Sequence, residues 1–145
     1  MKKLLSAVLV LCILLSSFSV FATAADAPIA PQASAYLSYY TASLSQGKHA
    51  GDINLSFIVF AARTGLTQIG VSEVRVYTGG ARVKTIRGTV VNGLITTHDN
   101  SHYGDYTIHG EPGATYYAVV TVRAMDTSGS DSRNITTNVI TAPTS

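Results

Sequence analysis

At 145 residues, with ten Lys plus Arg against eight Asp plus Glu and one cysteine, the chain is long enough for one domain with its own core. A single cysteine excludes an intramolecular disulfide. The formal charge of +2 does not mark a nucleic-acid binder, because its excess belongs to the first three residues.

Lys2 and Lys3 precede an apolar stretch from Leu4 to Phe21, and Ala22-Thr23-Ala24-Ala25 follows with small residues at the positions a signal peptidase reads. Residues 1–25 are therefore expected to be a cleaved signal peptide, with cleavage after Ala24 or Ala25. No basic stop-transfer cluster follows, which argues against a retained anchor. Cys12 lies mid-run, and Leu11 before it is too large for lipid attachment. Removing Lys2 and Lys3 leaves eight basic residues against eight acidic ones, a formally neutral mature chain. The expectation is a secreted protein, free or wall-associated, with no membrane and no nucleic-acid partner. Without cysteine it must rely on packing and sheet hydrogen bonds.

Residues 26–34 are rich in Ala and Pro, and Pro28 and Pro31 block regular structure, so this reads as a short linker. Residues 35–145 form the folded domain. Ala35 to Leu44 carries no Gly or Pro and fits a first strand, with a short helix as the alternative. Asp52 to Ala62 alternates Ile53, Leu55, Phe57, Val59 and Ala61 against polar residues. Its second half is apolar on both faces through Ile58 and Phe60, which predicts that this end is covered twice. Val71 to Tyr77 alternates, Thr78-Gly79-Gly80 is a hairpin turn, and Arg82 to Arg87 is the return strand.

Asn92-Gly93 lies between Val90-Val91 and Leu94-Ile95, the pattern of a type I′ hairpin. Thr97 to His102 reads as polar loop, and Asp105 to His109 as a short strand with Tyr106 and Ile108 in phase. Tyr116 to Met125 places Tyr116, Ala118, Val120, Val122 and Ala124 on one face, and Asn134 to Thr141 closes the domain. About seven strands at this spacing, with no long helix, argue for an all-β antiparallel sandwich.

Two stretches carry a family resemblance. Ile53-x-Leu55-x-Phe57 resembles the second strand of fibronectin type III modules, where the third position is usually tryptophan. Glu111-Pro112-Gly113-Ala114-Thr115-Tyr116 and the strand after it resemble the later part of the same modules. The layout resembles an immunoglobulin-like sandwich over about 90 residues. It also looks like the small signal-peptide-plus-sandwich proteins of Gram-positive bacteria. The resemblance implies that Tyr116 packs at a corner and bonds back to the backbone. Three departures stand out: the tryptophan is absent, the strand after Tyr116 is two residues longer, and Gly110 replaces a leucine. Such a fold carries no particular chemistry with it.

His98, Asp99, His102, Asp105 and His109 cluster in sequence, but His102 and His109 on one strand would face opposite ways, so solvated loop histidines are favoured over a metal site. No catalytic residue, metal or cofactor is assigned. The mature chain has no cysteine, only two glutamates, Glu73 and Glu111, and no Gly-x-Ser-x-Gly, so a non-enzymatic role is expected. Arg75, Arg82, Lys84 and Arg87 cluster on one hairpin and fit either a strip for an anionic polymer or an edge kept from pairing. Tyr40, Tyr77, Tyr103 and Tyr117 are expected to point outward, where rings stack on sugars.

The reading is a non-catalytic binding module for an extracellular or cell-surface ligand: an anionic polymer, a glycan or a protein. Arg75, Arg82, Lys84, Arg87, His102, Tyr103 and Tyr117 are the candidate contacts. The loops Thr97–Gly104 and Asp126–Ser132 are candidate contact regions. One alternative is an assembly subunit joined by edge pairing through Ala35–Leu44 or Asn134–Thr141; the other is a hydrolytic enzyme whose Ser, His and Asp meet only in space.

Overall fold

The computed structural model describes residues 34–145; the expected signal peptide and nearly all of the Ala/Pro linker lie outside them. Nine strands build two antiparallel sheets: β1 (Leu37–Gln46), β2 (Asp52–Ala61), β3 (Gln68–Thr78), β4 (Ala81–Arg87), β5 (Ile95–Thr96), β6 (Ser101–His109), β7 (Thr115–Met125), β8 (Ser130–Thr136) and β9 (Ile140–Thr141). One sheet has the order β1-β2-β6. The other has the order β4-β3-β7-β8, with β5 against β3 and β9 against β7. The layout is compatible with an immunoglobulin-like sandwich. Ala35–Leu44 resolves to strand rather than helix.

Alternation decides which side chains meet between the sheets. Ile53, Leu55, Phe57 and Val59 of β2, Val74 and Val76 of β3, and Ala118, Val120, Val122 and Ala124 of β7 are all buried between the sheets, where β2 comes closest to β3 and β1 to β7. Three departures from strict pairing occur, and the first two extend this core. In β1 the register shifts between Leu37 and Tyr39, so Ser38 is the extra residue and both Leu37 and Tyr40 turn inward. In β3 the shift falls between Val71 and Glu73, with Ser72 extra. Ile69 and Val71 therefore join Val74 and Val76 inside, although the two pairs are out of phase in sequence. The Ser72 hydroxyl donates to the Thr121 carbonyl at 3.1 Å across the bulge. In the β3–β4 hairpin the third shift leaves Val83 extra.

The last strand is interrupted between β8 and β9, and side chains replace the missing ladder bonds. Thr137 is buried; its N–H donates to the Ala118 carbonyl and its hydroxyl accepts from the Ala118 N–H, both at 2.9 Å. Asn138 reaches the opposite sheet at Leu44, and Gln46 Nε2 donates to the Thr141 carbonyl at 2.8 Å. The two segments considered as free pairing edges thus meet each other here.

The Asn92-Gly93 step is not a hairpin between strands. Asn92 keeps a negative φ, and only Gly93 is left-handed at 75°. A type I′ turn needs positive φ at both. Instead, the Asn92 side chain accepts from Thr89 N–H at 2.9 Å and Leu94 N–H at 3.3 Å and donates to the Arg87 carbonyl at 2.8 Å. The result is a clamped loop with Val90 and Val91 exposed and Leu94 buried.

Candidate functional site

The corner before β7 is fixed by one buried ring. The Tyr116 hydroxyl accepts a hydrogen bond from Glu111 N–H at 2.7 Å. Gly110 lies beneath this ring, and a Cβ there would stand 2.8 Å from Tyr116 Cζ. That contact gives a physical reason for glycine at the position where the resembling family has leucine.

Strand pairing sorts the surface residues onto two faces of different chemistry. On the outer face of β1-β2-β6, register sets Tyr39 beside Phe60 and Ser101, then Thr41 beside Ile58 and Tyr103. Tyr103 is 72% exposed, Tyr39 54%, Phe60 44% and Ile58 37%. The Tyr39 and Phe60 centroids lie 6.2 Å apart. Among the described residues nothing covers this end of β2, contrary to its expected double covering. Farther along come Ser43, Ser56 and Asp105, then Ser45, Asn54 and Thr107. Ser56 donates to Asp105 and Thr107 to Asn54. None of these positions is Lys or Arg. Asp52 and His109, paired at 2.7 Å, close the face.

The outer face of the larger sheet is basic. Tyr77 and Tyr117 stack across β3 and β7 with centroids 5.0 Å apart and planes 6° apart. Arg82 is paired with Tyr77, and Arg75 lies in the next row. Arg87 and Arg123 follow, toward the far end. Arg75 spends its charge on Glu73 at 3.2 Å.

The expected basic strip is therefore divided. Lys84 pairs with Val76 and turns to the opposite side of β4. There it lines a cavity of ≈ 260 Å³ with Val83, Ile108, Glu111 and Tyr116. The candidate tyrosines are divided too: Tyr103 and Tyr117 lie on opposite outer faces, and Tyr40 packs against the core rather than pointing outward.

His102 and Tyr103 belong to β6, not to a loop, because this strand starts at Ser101. His102 faces inward, 5.2 Å from the Phe57 ring, and its Nε2 pairs with the Gly93 carbonyl at 2.7 Å. It holds the clamped loop onto the sandwich. His109 stands on the outer face. Sequence reading missed Tyr39, Ile58 and Phe60 as surface residues. For Ile58 and Phe60 the signal was the double-apolar pattern of β2, which fits burial as well; Tyr39, on β1, carried no separate signal.

At one end of the sandwich, the Asp126 carboxylate accepts from the Ser128 hydroxyl at 2.6 Å, Ser128 N–H at 2.7 Å and Gly129 N–H at 3.0 Å. It also pairs with Arg63 at 3.1 Å, whose guanidinium lies 5.0 Å from the centre of the Tyr36 ring. The Ser128 hydroxyl foremost, then the two N–H groups and Arg63, hold this carboxyl below its usual 3.8 against the opposing effect of burial. The loop Asp126–Ser132 is thereby internally bonded.

The chain matches no protein-family model, no curated protein and no solved structure.

Proposed function

We propose that the protein is a secreted, non-catalytic binding module of the fibronectin type III or immunoglobulin-like kind, which contacts a glycan at the cell surface through the outer face of β1-β2-β6. The observation that carries this reading is the exposed cluster of Tyr39, Ile58, Phe60 and Tyr103 on one rigid face. Leaving apolar surface in water forgoes about 25 cal/mol per Å², and contiguous patches of this kind mark contact surfaces. Aromatic rings offer flat faces to sugar C–H groups. The hydroxyl, amide and carboxylate groups of Ser43, Asn54, Asp105 and Thr107 continue the same face and suit sugar hydroxyls. Its strands carry no Lys or Arg, and Lys48 joins it only beside Asp52, Asn54 and Thr107, away from the rings, which favours a neutral glycan over an anionic polymer. The strand order and the Tyr116 hydrogen bond support the family kind.

Co-sedimentation of the protein with purified cell walls across a salt series tests this reading. Pelleting is expected to persist as salt rises and to be lost in the triple variant Tyr39→Ala, Phe60→Ala, Tyr103→Ala. No pelleting at any salt would sink the proposal. A flat apolar face also suits pairing with a second copy. Sedimentation velocity over a concentration series separates the two, since a glycan binder stays monomeric.

A further inference from the structure

At the end of the larger sheet away from the Tyr77–Tyr117 stack, a cleft of ≈ 440 Å³ opens on the surface. Its polar lining is Gln68, Ser72, Arg87, Thr89 and Arg123, with Gly88 in its wall, and no acidic residue lines it. Among the described residues neither Arg87 nor Arg123 has a carboxylate partner. Glu73, directly across the ladder from Arg87, is turned to Arg75 instead. Among the described residues the Arg123 side chain is bonded only to the Ser130 hydroxyl, at 3.2 Å.

The walls of the cleft are fixed before any ligand arrives. The bulged residue Ser72 lies in one side. Gly88 donates to the Ser72 carbonyl at 2.9 Å and packs so closely that a Cβ would stand 1.7 Å from the Val71 oxygen. Asn92 holds the segment from Arg87 to Leu94 through its side-chain bonds. Two like charges lining one concavity repel each other, and an anion bound there lowers that cost. Guanidinium forks match the geometry of phosphate oxygens and bind them in pairs. The space exceeds one phosphate group. The Gln68 amide and the Thr89 hydroxyl at its edge suit the hydroxyl groups of an attached unit.

We propose that this cleft seats a phosphate group carried by a small polyol or sugar unit. The site is separate from the aromatic face and does not depend on the role given to that face.

The test is an amide NMR titration of the purified protein with glycerol 3-phosphate, with glycerol and with sulfate at matched ionic strength. Glycerol 3-phosphate is expected to shift the amides of Ser72, Gly88, Thr89 and Arg123 to saturation, while glycerol shifts none of them. Arg87→Gln and Arg123→Gln should each weaken binding about tenfold, the loss of one charge-assisted contact, while Arg82→Gln on the same face leaves it unchanged. Absence of saturable shifts in the wild type would overturn the proposal. So would sulfate binding as tightly as glycerol 3-phosphate, or equal weakening by all three substitutions, which would mean diffuse attraction to the face.

Discussion

The side-chain amide of Asn138 pairs with both backbone groups of Leu44, accepting from its N–H at 2.8 Å and donating to its C=O at 2.9 Å. Asn138 thus acts as a short piece of strand, joining the end of the last strand to the first across the open side of the sandwich. Asn138→Ala should cost about 1–3 kcal/mol, the usual range when partly buried backbone groups lose their partners. Asn138→Asp should be no better, because a carboxylate cannot donate to the Leu44 carbonyl. Urea unfolding at neutral pH checks both, and an unchanged midpoint in the Asp variant would contradict this reading.

The corner at Tyr116 yields a paired expectation. Tyr116→Phe removes the acceptor for Glu111 N–H and should cost about 1 kcal/mol. Gly110→Ala forces a methyl group against a buried ring and should cost about 1–3 kcal/mol. The combination should be less than additive, since the ring that loses its hydroxyl bond is freer to move away from the methyl. Thermal unfolding of the two single variants and the double variant measures this.

Asp126 predicts an acid limb in stability. Its carboxyl is held below the usual value of 3.8 in the folded protein, so the unfolded chain takes up a proton first as pH falls. The contribution of this group is fully present above the unfolded value. It fades as pH drops through 3.8 toward the lower folded value. Asp126→Asn should flatten this limb while lowering stability at neutral pH. Equal acid slopes for variant and wild type in urea titrations would rule out the assignment.

Tyr77 and Tyr117 are stacked on a solvated face, so their coupling is isolated from core burial. A double-mutant cycle with Tyr77→Ala and Tyr117→Ala should return about 0.5–1 kcal/mol of mutual stabilisation, the lower part of the range for aromatic pairs. A coupling indistinguishable from zero would mean that the rings share space without holding each other.

The fold was legible where alternation was clean. Ile53 to Val59 and Tyr116 to Ala124 read directly as the inward faces of the strands that became β2 and β7. Bulges were not legible, because an inserted residue changes phase without changing composition. Ser38 turned Tyr40 inward and left Tyr39 outside; Ser72 brought Ile69 and Val71 into a core that strict alternation from Val74 would deny them. Asn92-Gly93 carried the dipeptide of a hairpin, yet its flanks were too short to pair and the asparagine side chain bonded locally instead. Apolar residues on both faces of β2 were read as a demand for cover. Periodicity identifies which residues are apolar; whether another element exists to cover them is a tertiary question. The bulge at Val83 separated Lys84 from Arg75, Arg82 and Arg87, and Arg123, far from them in sequence, was brought into the cleft with Arg87 by the β3–β7 pairing.

The sorting of the surface has one more consequence. Arg75, Arg82, Arg87 and Arg123 share the outer face of the larger sheet, while the strands bearing Tyr39, Phe60 and Tyr103 carry no Lys or Arg, so the two outer faces of the sandwich differ in charge. Anything seated on the aromatic face is kept the thickness of the sandwich away from those four arginines, so added salt should act on the two faces differently.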